Sequence, residues 1–292
     1  MALKVCGTIW LWVFNMLKPI ETIATNLIRH ENGMLVSRSN RELSYPNYGN
    51  DLCFRLEDNS FWFNHRNEVI FSLARKFSRN QPFFDIGGGN GCVAHYLQNM
   101  GFDTVLIEPG PRGASNAQKR GIKTIVQSTF EDAGFLPESF NAVGLFDVLE
   151  HIEEDLLFMS ALNKLITPRG IIYITVPAYD FLWSHEDKAA GHFRRYTTST
   201  ITKLLSSAGF EIIYSSYFFS ILVPAIFALR TIPSTLGIRK STNVQRTQKE
   251  HSGKNFFAKE ILGNLLKLEK SLIRDLIPIP TGSSCIVAAR KR

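Results

Sequence analysis

Cysteine is scarce. The 292 residues hold four (Cys6, Cys53, Cys92 and Cys285), scattered and without a CxxC pair. That excludes a disulfide scaffold and a zinc ribbon and fits a reducing compartment. Charged residues make up only 20% of the chain while hydrophobic residues make up an ordinary 45%, which excludes a disordered polymer. There is no low-complexity tract and no internal repeat, so solenoids, collagen and coiled-coil rods are out. Long apolar runs are missing too. Val5 to Leu17 is uncharged but too short to span a bilayer as a helix, and Lys18-Pro19 follows it where a signal peptide would have a small-x-small cleavage site. It reads as a helix that packs on the body or dips into a membrane interface. Ile212 to Leu229 reaches the lower limit for a span, but it includes Tyr214, Ser215, Ser216, Ser220 and Pro224. It reads as a buried strand running into a short apolar helix.

What the chain does have is a basic surplus, 33 Lys+Arg against 26 Asp+Glu, a net charge of +7. Between Arg230 and Lys254 stand six basic residues (Arg230, Arg239, Lys240, Arg246, Lys249, Lys254) and one acid, Glu250, so one stretch carries five of the seven net charges. A solvated loop, an anionic membrane surface and a phosphorylated acceptor are the readings left open. Nucleic acid is not expected as a partner, because no recognised nucleic-acid module surrounds the stretch.

The middle of the chain alternates short apolar runs with amphipathic segments. Residues 1–60 read as an irregular extension, with loop over Ser37–Asn50. Apolar spacing predicts a helix over Phe61–Phe77. Strands are expected at Pro82–Ile86, Thr104–Ile107, Lys123–Val126, Phe140–Phe146, Gly170–Val176, Glu211–Phe219 and Ser284–Ala289. Helices are expected at Cys92–Met100, Gly113–Arg120, from Asp147 to about Leu165, at Thr198–Ala208 and at Phe256–Leu276. This βαβα order means a parallel, doubly wound α/β sheet with right-handed crossovers. The last two strands, split by residues 220–283, are candidates for an antiparallel edge.

Where the first strand of that series turns into its helix, the chain reads Asp85-Ile86-Gly87-Gly88-Gly89-Asn90-Gly91. Glycines there permit positive φ and close approach of backbone to a ligand, and the helix offers unpaired N–H groups. Asp85 ends the strand, where a carboxylate can receive an ammonium group. Glu108 ends the next strand, placed to accept hydrogen bonds from ribose hydroxyls. Ser128-Thr129-Phe130-Glu131-Asp132 follows the third, where an adenine would lie. A solvated strand end explains any one of these acids alone, but not all three in register.

These motifs, DIGGGNG, IEPG, STFED, FDVLEHIEED and TVPAY, resemble the successive motifs of class I S-adenosylmethionine-dependent methyltransferases, in particular the ubiquinone O-methyltransferase-like groups. The resemblance covers roughly Phe61 to Phe219 plus the final strand. It implies a Rossmann-like seven-stranded sheet of order 3-2-1-4-5-7-6 with strand 7 antiparallel, a core over residues 61–219 and 284–292, and a helical and basic insertion over 220–283. It implies S-adenosylmethionine as cofactor. Asp85, Gly87, Gly88, Gly89, Asn90 and Gly91 would form its turn, with the methionine half on Asp85, Gly87 and Gly89. Glu108 would clamp the ribose, Thr129 and Phe130 would border the adenine, and the backbone of Phe146 would pass near the sulfonium. Thr129 stands where the family usually has Asp, so Glu131 or Asp132 is expected to take over that contact.

On the acceptor side, Asp147, Glu150 and His151 would share one face of a helix. The set resembles the ExxEH element that holds a divalent metal in ubiquinone-pathway and small-RNA 2′-O-methyltransferases, with His192 as a fourth ligand. A metal-free base role for His151 and a purely structural role are the alternatives, and metal is not the favoured one. The block from Leu182 to Thr197 is dense in His, Arg and aromatics and resembles a signature of a bacterial methyltransferase subgroup. Trp183, Arg194, Arg195 and Tyr196 are its candidate acceptor-binding residues, and an arginine pairing with Glu186 or Asp187 to order the loop is the competing reading. Trp62, Arg66 and Asn67 belong to a helix that covers the cofactor or packs in the core. The insertion reads as a lid, a dimer contact or an interfacial membrane patch, with its Leu-rich helix assigned to core over anchor.

The expected activity is methylation of a hydroxyl on a small, lipid-linked or glycan-type acceptor, in the cytoplasm or at the periphery of a membrane. An RNA 2′-O-methyltransferase and a catalytically silent cofactor-binding adaptor are the alternatives.

Overall fold

The computed structural model describes residues 18–38, 53–58, 60–237 and 256–292. The apolar run Val5–Leu17, most of the loop at Ser37–Asn50 and the basic stretch beyond Gly237 up to Asn255 lie outside them.

Among the described residues nine strands form one sheet: β1 (Leu27–Arg29), β2 (Leu35–Ser37), β3 (Phe83–Ile86), β4 (Thr104–Ile107), β5 (Thr124–Gln127), β6 (Phe140–Phe146), β7 (Ile166–Pro177), β8 (Phe210–Phe218) and β9 (Ser284–Lys291). Their spatial order is β1-β2-β5-β4-β3-β6-β7-β9-β8. Numbered from β3, the last seven positions read 3-2-1-4-5-7-6. The strands from β5 to β7 are parallel, and β9 runs antiparallel to both neighbours, pairing Tyr173 with Ala288 and Phe218 with Ser284. The expected count of seven strands is corrected to nine. The extra pair is an antiparallel hairpin turning at Gly33 (φ 86°), and β2 joins β5 in parallel with Leu35 opposite Val126. Residues 1–60 are therefore not uniformly irregular. Strands of three residues are too short to show an alternating pattern.

Helices α1 (Phe61–Phe77), α2 (Cys92–Asn99), α3 (Pro111–Arg120), α4 (Asp155–Leu165), α5 (His185–Ala190), α6 (Thr198–Ser207) and α7 (Phe256–Arg274) complete the layers. Local chemistry explains their limits. Ser60 caps α1 by accepting from the N–H of Trp62 at 3.2 Å, and Arg75 and Lys76 occupy the last turn, where cations suit the helix dipole. α3 begins on Pro111 and stops at Gly121 in the left-handed region. Thr197 and Thr200 form a reciprocal cap on α6.

Alternate residues of the central strands feed opposite cores. Phe84, Val105, Val143 and Ile174 face one cluster with Met159, Leu162, Ile201 and Leu205 from α4 and α6. Phe83, Ala142, Tyr173 and Phe218 face the other, with Val69, Ile70 and Leu73 of α1. Leu266 and Ile273 of α7 are buried in this second cluster and Leu262 and Leu272 pack against it, while Leu265 and Leu268 stay exposed, so only one side of the Leu-rich helix is core. A buried junction locks α7 in place: Glu269 accepts from His65 at 2.7 Å and from the N–H groups of Phe219 and Ser220 at 2.7 and 2.9 Å. Burial works to raise the Glu269 pKa, but these hydrogen bonds outweigh it and hold the carboxylate ionised. Among the described residues no helix is long and apolar enough to cross a membrane.

Candidate functional site

The carboxyl edge of the sheet collects the strained and the chargeable groups. Three non-glycine residues that follow strand ends have positive φ: Asp147 after β6 (57°), Tyr179 after β7 (61°) and Phe219 after β8 (60°). Each such conformation costs about 1–3 kcal/mol and persists only where the surroundings impose it.

The turn between β3 and α2 has Gly87, Gly89 and Gly91 at φ 68°, 55° and 72°. A Cβ on Gly88 would stand 2.5 Å from both Asp85 Oδ2 and Leu106 Cδ1, so the backbone lies directly against the end of β3. Asp85 is fully buried, and neither carboxylate oxygen has a hydrogen-bond partner. Burial pushes its pKa up to about 7, against the pull of the Arg66 charge. Glu108 receives the N–H groups of Gly89 and Gly110, both at 2.8 Å. Burial still raises it to about 6. Asn90 is tied into a buried network instead of facing the turn's open side: its amide donates to Glu57 at 3.2 Å and it accepts from Asn116 at 3.0 Å. Thr129 caps its own turn by accepting from the Asp132 N–H at 3.0 Å. Phe130 is buried and meets Phe158 edge-on, 5.1 Å between centroids, so it serves the core first. Ser128 Oγ, buried and without a partner, is the polar atom on offer beside it. Phe146 closes β6 and stacks on Phe83 at 6.3 Å.

This lining fits S-adenosylmethionine. A buried carboxylate without partners suits an ammonium group, and a strand-end glutamate beside two glycine N–H groups suits a ribose diol.

The acceptor side differs from expectation. The residues after β6 do not continue as an α-helix: Asp147 is left-handed and Leu149–His151 is a single 3-10 turn. Asp147 therefore leaves the expected set. Its carboxylate meets the Arg66 guanidinium and accepts from Thr175 Oγ1 at 3.1 Å. Glu150, His151 and His192 do converge, with one ligand atom from each within 4.8 Å of the others. The His151 and His192 rings meet edge-on at 4.7 Å. Glu150 is buried, and its Oε2 has no partner. Burial, then the nearby charge of Asp147, raises its pKa well above the carboxylate range. Burial and the neighbouring His192 lower His151 to about 4, leaving the imidazole neutral and basic in form.

His192 is held from behind. Its Nδ1 lies 2.9 Å from Asp187 Oδ1, and Asp187 also accepts from Arg195 Nε and Nη2 at 2.8 and 3.0 Å and from the Ser184 N–H at 2.9 Å. Burial works to raise the Asp187 pKa, but the bonds from His192 and Arg195 prevail and bring it to about 2. An ionised Asp187 only accepts, so Nδ1 of a neutral His192 carries the proton and Nε2 keeps a lone pair.

Three of the four acceptor-binding candidates are already engaged. Arg195 grips Asp187 and the Ala178 carbonyl, the latter at 3.0 Å. Arg194 pairs with Asp155 at 2.7 Å and donates to the Glu153 carbonyl at 2.6 Å. Tyr196 is buried and donates to Asp155 at 2.9 Å. Arg195 makes the Asp187 pairing that the loop-ordering reading expected, whereas Arg194 and Tyr196 converge on Asp155 of α4. Trp183 is half-buried at the end of the Asp180–Leu182 turn.

Three residues matter more than the sequence suggested. Arg66 is buried on α1, lies over the Trp62 and Phe63 rings at 5.0 and 5.1 Å, and is the first opposing charge acting on Asp85. Asp187 and Ser128 are the others. The sequence placed Arg66 only on a helix that covers the cofactor or packs in the core, with no partner named.

A family model described as a methyltransferase domain matches residues 62–215. The ubiquinone biosynthesis O-methyltransferase of Azorhizobium caulinodans is 30% identical over 96 residues, 31% of this chain and 38% of that protein. Its counterpart in Cereibacter sphaeroides is 28% identical over 115 residues, 36% of this chain and 47% of that protein. The chain thus covers less than half the length of these relatives. Among solved structures, the methyltransferase partner of the Haloferax volcanii Trm112 activator superposes with a TM-score of 0.55 at 14% identity, covering 85% of this chain and 99% of that one. Haemonchus contortus phosphoethanolamine N-methyltransferase 2, in complex with S-adenosyl-L-methionine, superposes at 0.53 with 18% identity, covering 84% and 57%. At these identities the structures speak for the fold alone. The family match spans more than half of the chain and lies over the sheet, the glycine turn and the strand-end acids just described, and it places the chain among the class I S-adenosylmethionine-dependent methyltransferases.

Proposed function

We propose that this methyltransferase acts on a hydroxyl group of a small or lipid-linked acceptor. The observation that carries the reading is the Glu150–His151–His192 cluster at the carboxyl end of β6, beside the cofactor turn. A nitrogen acceptor has a lone pair ready, whereas an oxygen acceptor usually needs its proton removed as it reacts. S-adenosylmethionine, when bound, supplies a methyl group already activated on a positive sulfur. The chain's own residues then have to hold the donor, aim the acceptor and take a proton. Asp85 and Arg66 suit the ammonium and carboxylate of the methionine half, and Glu108 suits the ribose. Holding two reactants in line contributes roughly 7–11 kcal/mol in favourable cases. His151, neutral at any pH well above 4, is the proton acceptor, and His192, oriented by Asp187, is its partner in the cluster. The O-methyltransferase names of the relatives support oxygen over nitrogen.

A second reading has its own support. The orphaned Glu150 oxygen, two imidazoles and the Asp187 carboxylate behind His192 make a donor set of the kind that binds a divalent cation. Glu150, His151 and His192 would hold it, and it would polarise the acceptor hydroxyl.

Incubating the pure enzyme with isotopically labelled donor and fractionated host metabolites tests the proposal. Mass spectrometry of the labelled product should find the methyl group on oxygen, and a product labelled on nitrogen would overturn it. Loss of turnover after chelation, with donor affinity unchanged, selects the cation reading over the free base.

A further inference from the structure

After β8 the chain forms a helical segment in three pieces, Leu222–Ile226, a π turn at Phe227–Thr231 and Ile232–Thr235. A helix on a water-soluble body turns its apolar stripe inward. Here Thr231 alone is buried between Ile221 and Gly237, while Phe227, Ile232 and Leu236 are 41, 40 and 67% exposed. The exposed face continues onto the edge that carries the site. Phe227 meets Phe181 edge-on at 6.0 Å, Phe181 (54% exposed) stacks on Tyr179 at 5.1 Å, and Tyr179 stacks on Tyr217 at 4.9 Å. The sequence here is one-sided in charge: no carboxylate occurs between Glu211 and Glu250, Arg230 lies within the segment, and five further basic residues follow it in the chain up to Lys254.

We infer that residues 221–236, together with Phe181, form a docking face for an anionic phospholipid bilayer. Exposed aromatic and aliphatic side chains joined to a run of Lys and Arg are what an interfacial helix needs: the apolar groups enter the acyl boundary and the cations meet the headgroups. No described helix is both long and apolar enough to span, and the segment is proposed to lie on the surface. With the face on a membrane, the aromatic ladder from Phe181 to Tyr217 brings the carboxyl edge of the sheet to the interface, where a lipid-linked acceptor is presented. Only this last clause rests on the proposed acceptor.

The test is co-sedimentation of the full-length protein with vesicles of pure phosphatidylcholine and of phosphatidylcholine mixed with phosphatidylglycerol. The protein should pellet with the mixed vesicles, stay with the supernatant over the neutral ones, and lose binding as salt rises. Phe227→Glu combined with Leu236→Glu should weaken vesicle binding by roughly tenfold or more. Leu157→Glu, which alters an exposed leucine of α4, should not. Melting temperature and S-adenosylhomocysteine binding, read on the same samples, report folding and the methyltransferase site independently of docking. Equal binding to neutral and anionic vesicles, or full binding by the double variant, overturns the inference. So does a lipid-free dimer that the double variant turns into a monomer, because the face then belongs to a second copy.

Discussion

Replacing Asp85 by asparagine separates the two things this carboxylate does. In the free enzyme Asp85 is a buried acid with no hydrogen-bond partner, and burial lifts its pKa from 3.8 to about 7. A group whose folded-state pKa is raised contributes stability that is full below the unfolded pKa, near 4, and is lost as pH rises through 7. The whole loss is roughly 4 kcal/mol above pH 7, of which about 1.5 is already gone at pH 5. Asparagine has the same shape and no charge to bury. It keeps an unsatisfied amide, which costs about 1–3 kcal/mol at every pH. The pH dependence of the difference is therefore the clean readout. Between pH 5 and pH 8 the asparagine variant should gain roughly 2–3 kcal/mol relative to the wild type, measured by urea unfolding at the two pH values. Donor binding should move the other way. If Asp85 receives the ammonium group, titration calorimetry should show weaker S-adenosylmethionine binding by the variant, and wild-type affinity should fall as pH drops below 7. A stability difference that is the same at pH 5 and pH 8 would refute the account of a charged, unpartnered Asp85.

Arg66→Gln removes the partner of Asp147 and the first opposing charge on Asp85. Donor affinity should fall at least about tenfold in calorimetry, with melting temperature as the check on folding. His151→Ala should leave donor affinity intact and lower kcat by about 10²–10⁴. Unchanged kinetics would remove His151 from the chemistry. Gly88→Ala drives a methyl group to 2.5 Å from Asp85 Oδ2 and Leu106 Cδ1. It should cost about 1–3 kcal/mol in unfolding experiments and abolish measurable donor binding.

Most elements could be read locally. Thr104–Ile107 and Phe140–Phe146 are almost wholly apolar, broken only by Thr104 and Asn141, because a central parallel strand is buried on both faces, and the observed strands have those limits. α1 was legible from its spacing, and the structure adds its Ser60 cap. The Asp85, Glu108 and glycine positions were legible because a strand end, a turn and a helix start fix them within a few residues. The hairpin at Leu27–Ser37 was hidden because each strand is three residues long. The stretch from Asp147 to His151 misled because helical spacing was assumed across a residue that takes a left-handed conformation.

The amino-acid order by itself determined the succession of strands and helices, the glycine turn with its flanking acids, and hence the family and its cofactor. Each depends on contacts between residues close in the chain or on a hydrophobic period. Only the tertiary structure decided which charged side chains remain for chemistry. Arg66 reaches 81 residues along the chain to claim Asp147, Arg195 and His192 share Asp187, and Arg194 and Tyr196 share Asp155, which leaves Glu150, His151 and His192 together. The reason is desolvation: a buried charge takes whatever partner the packing brings within reach, and packing joins residues whose separation in sequence carries no signal.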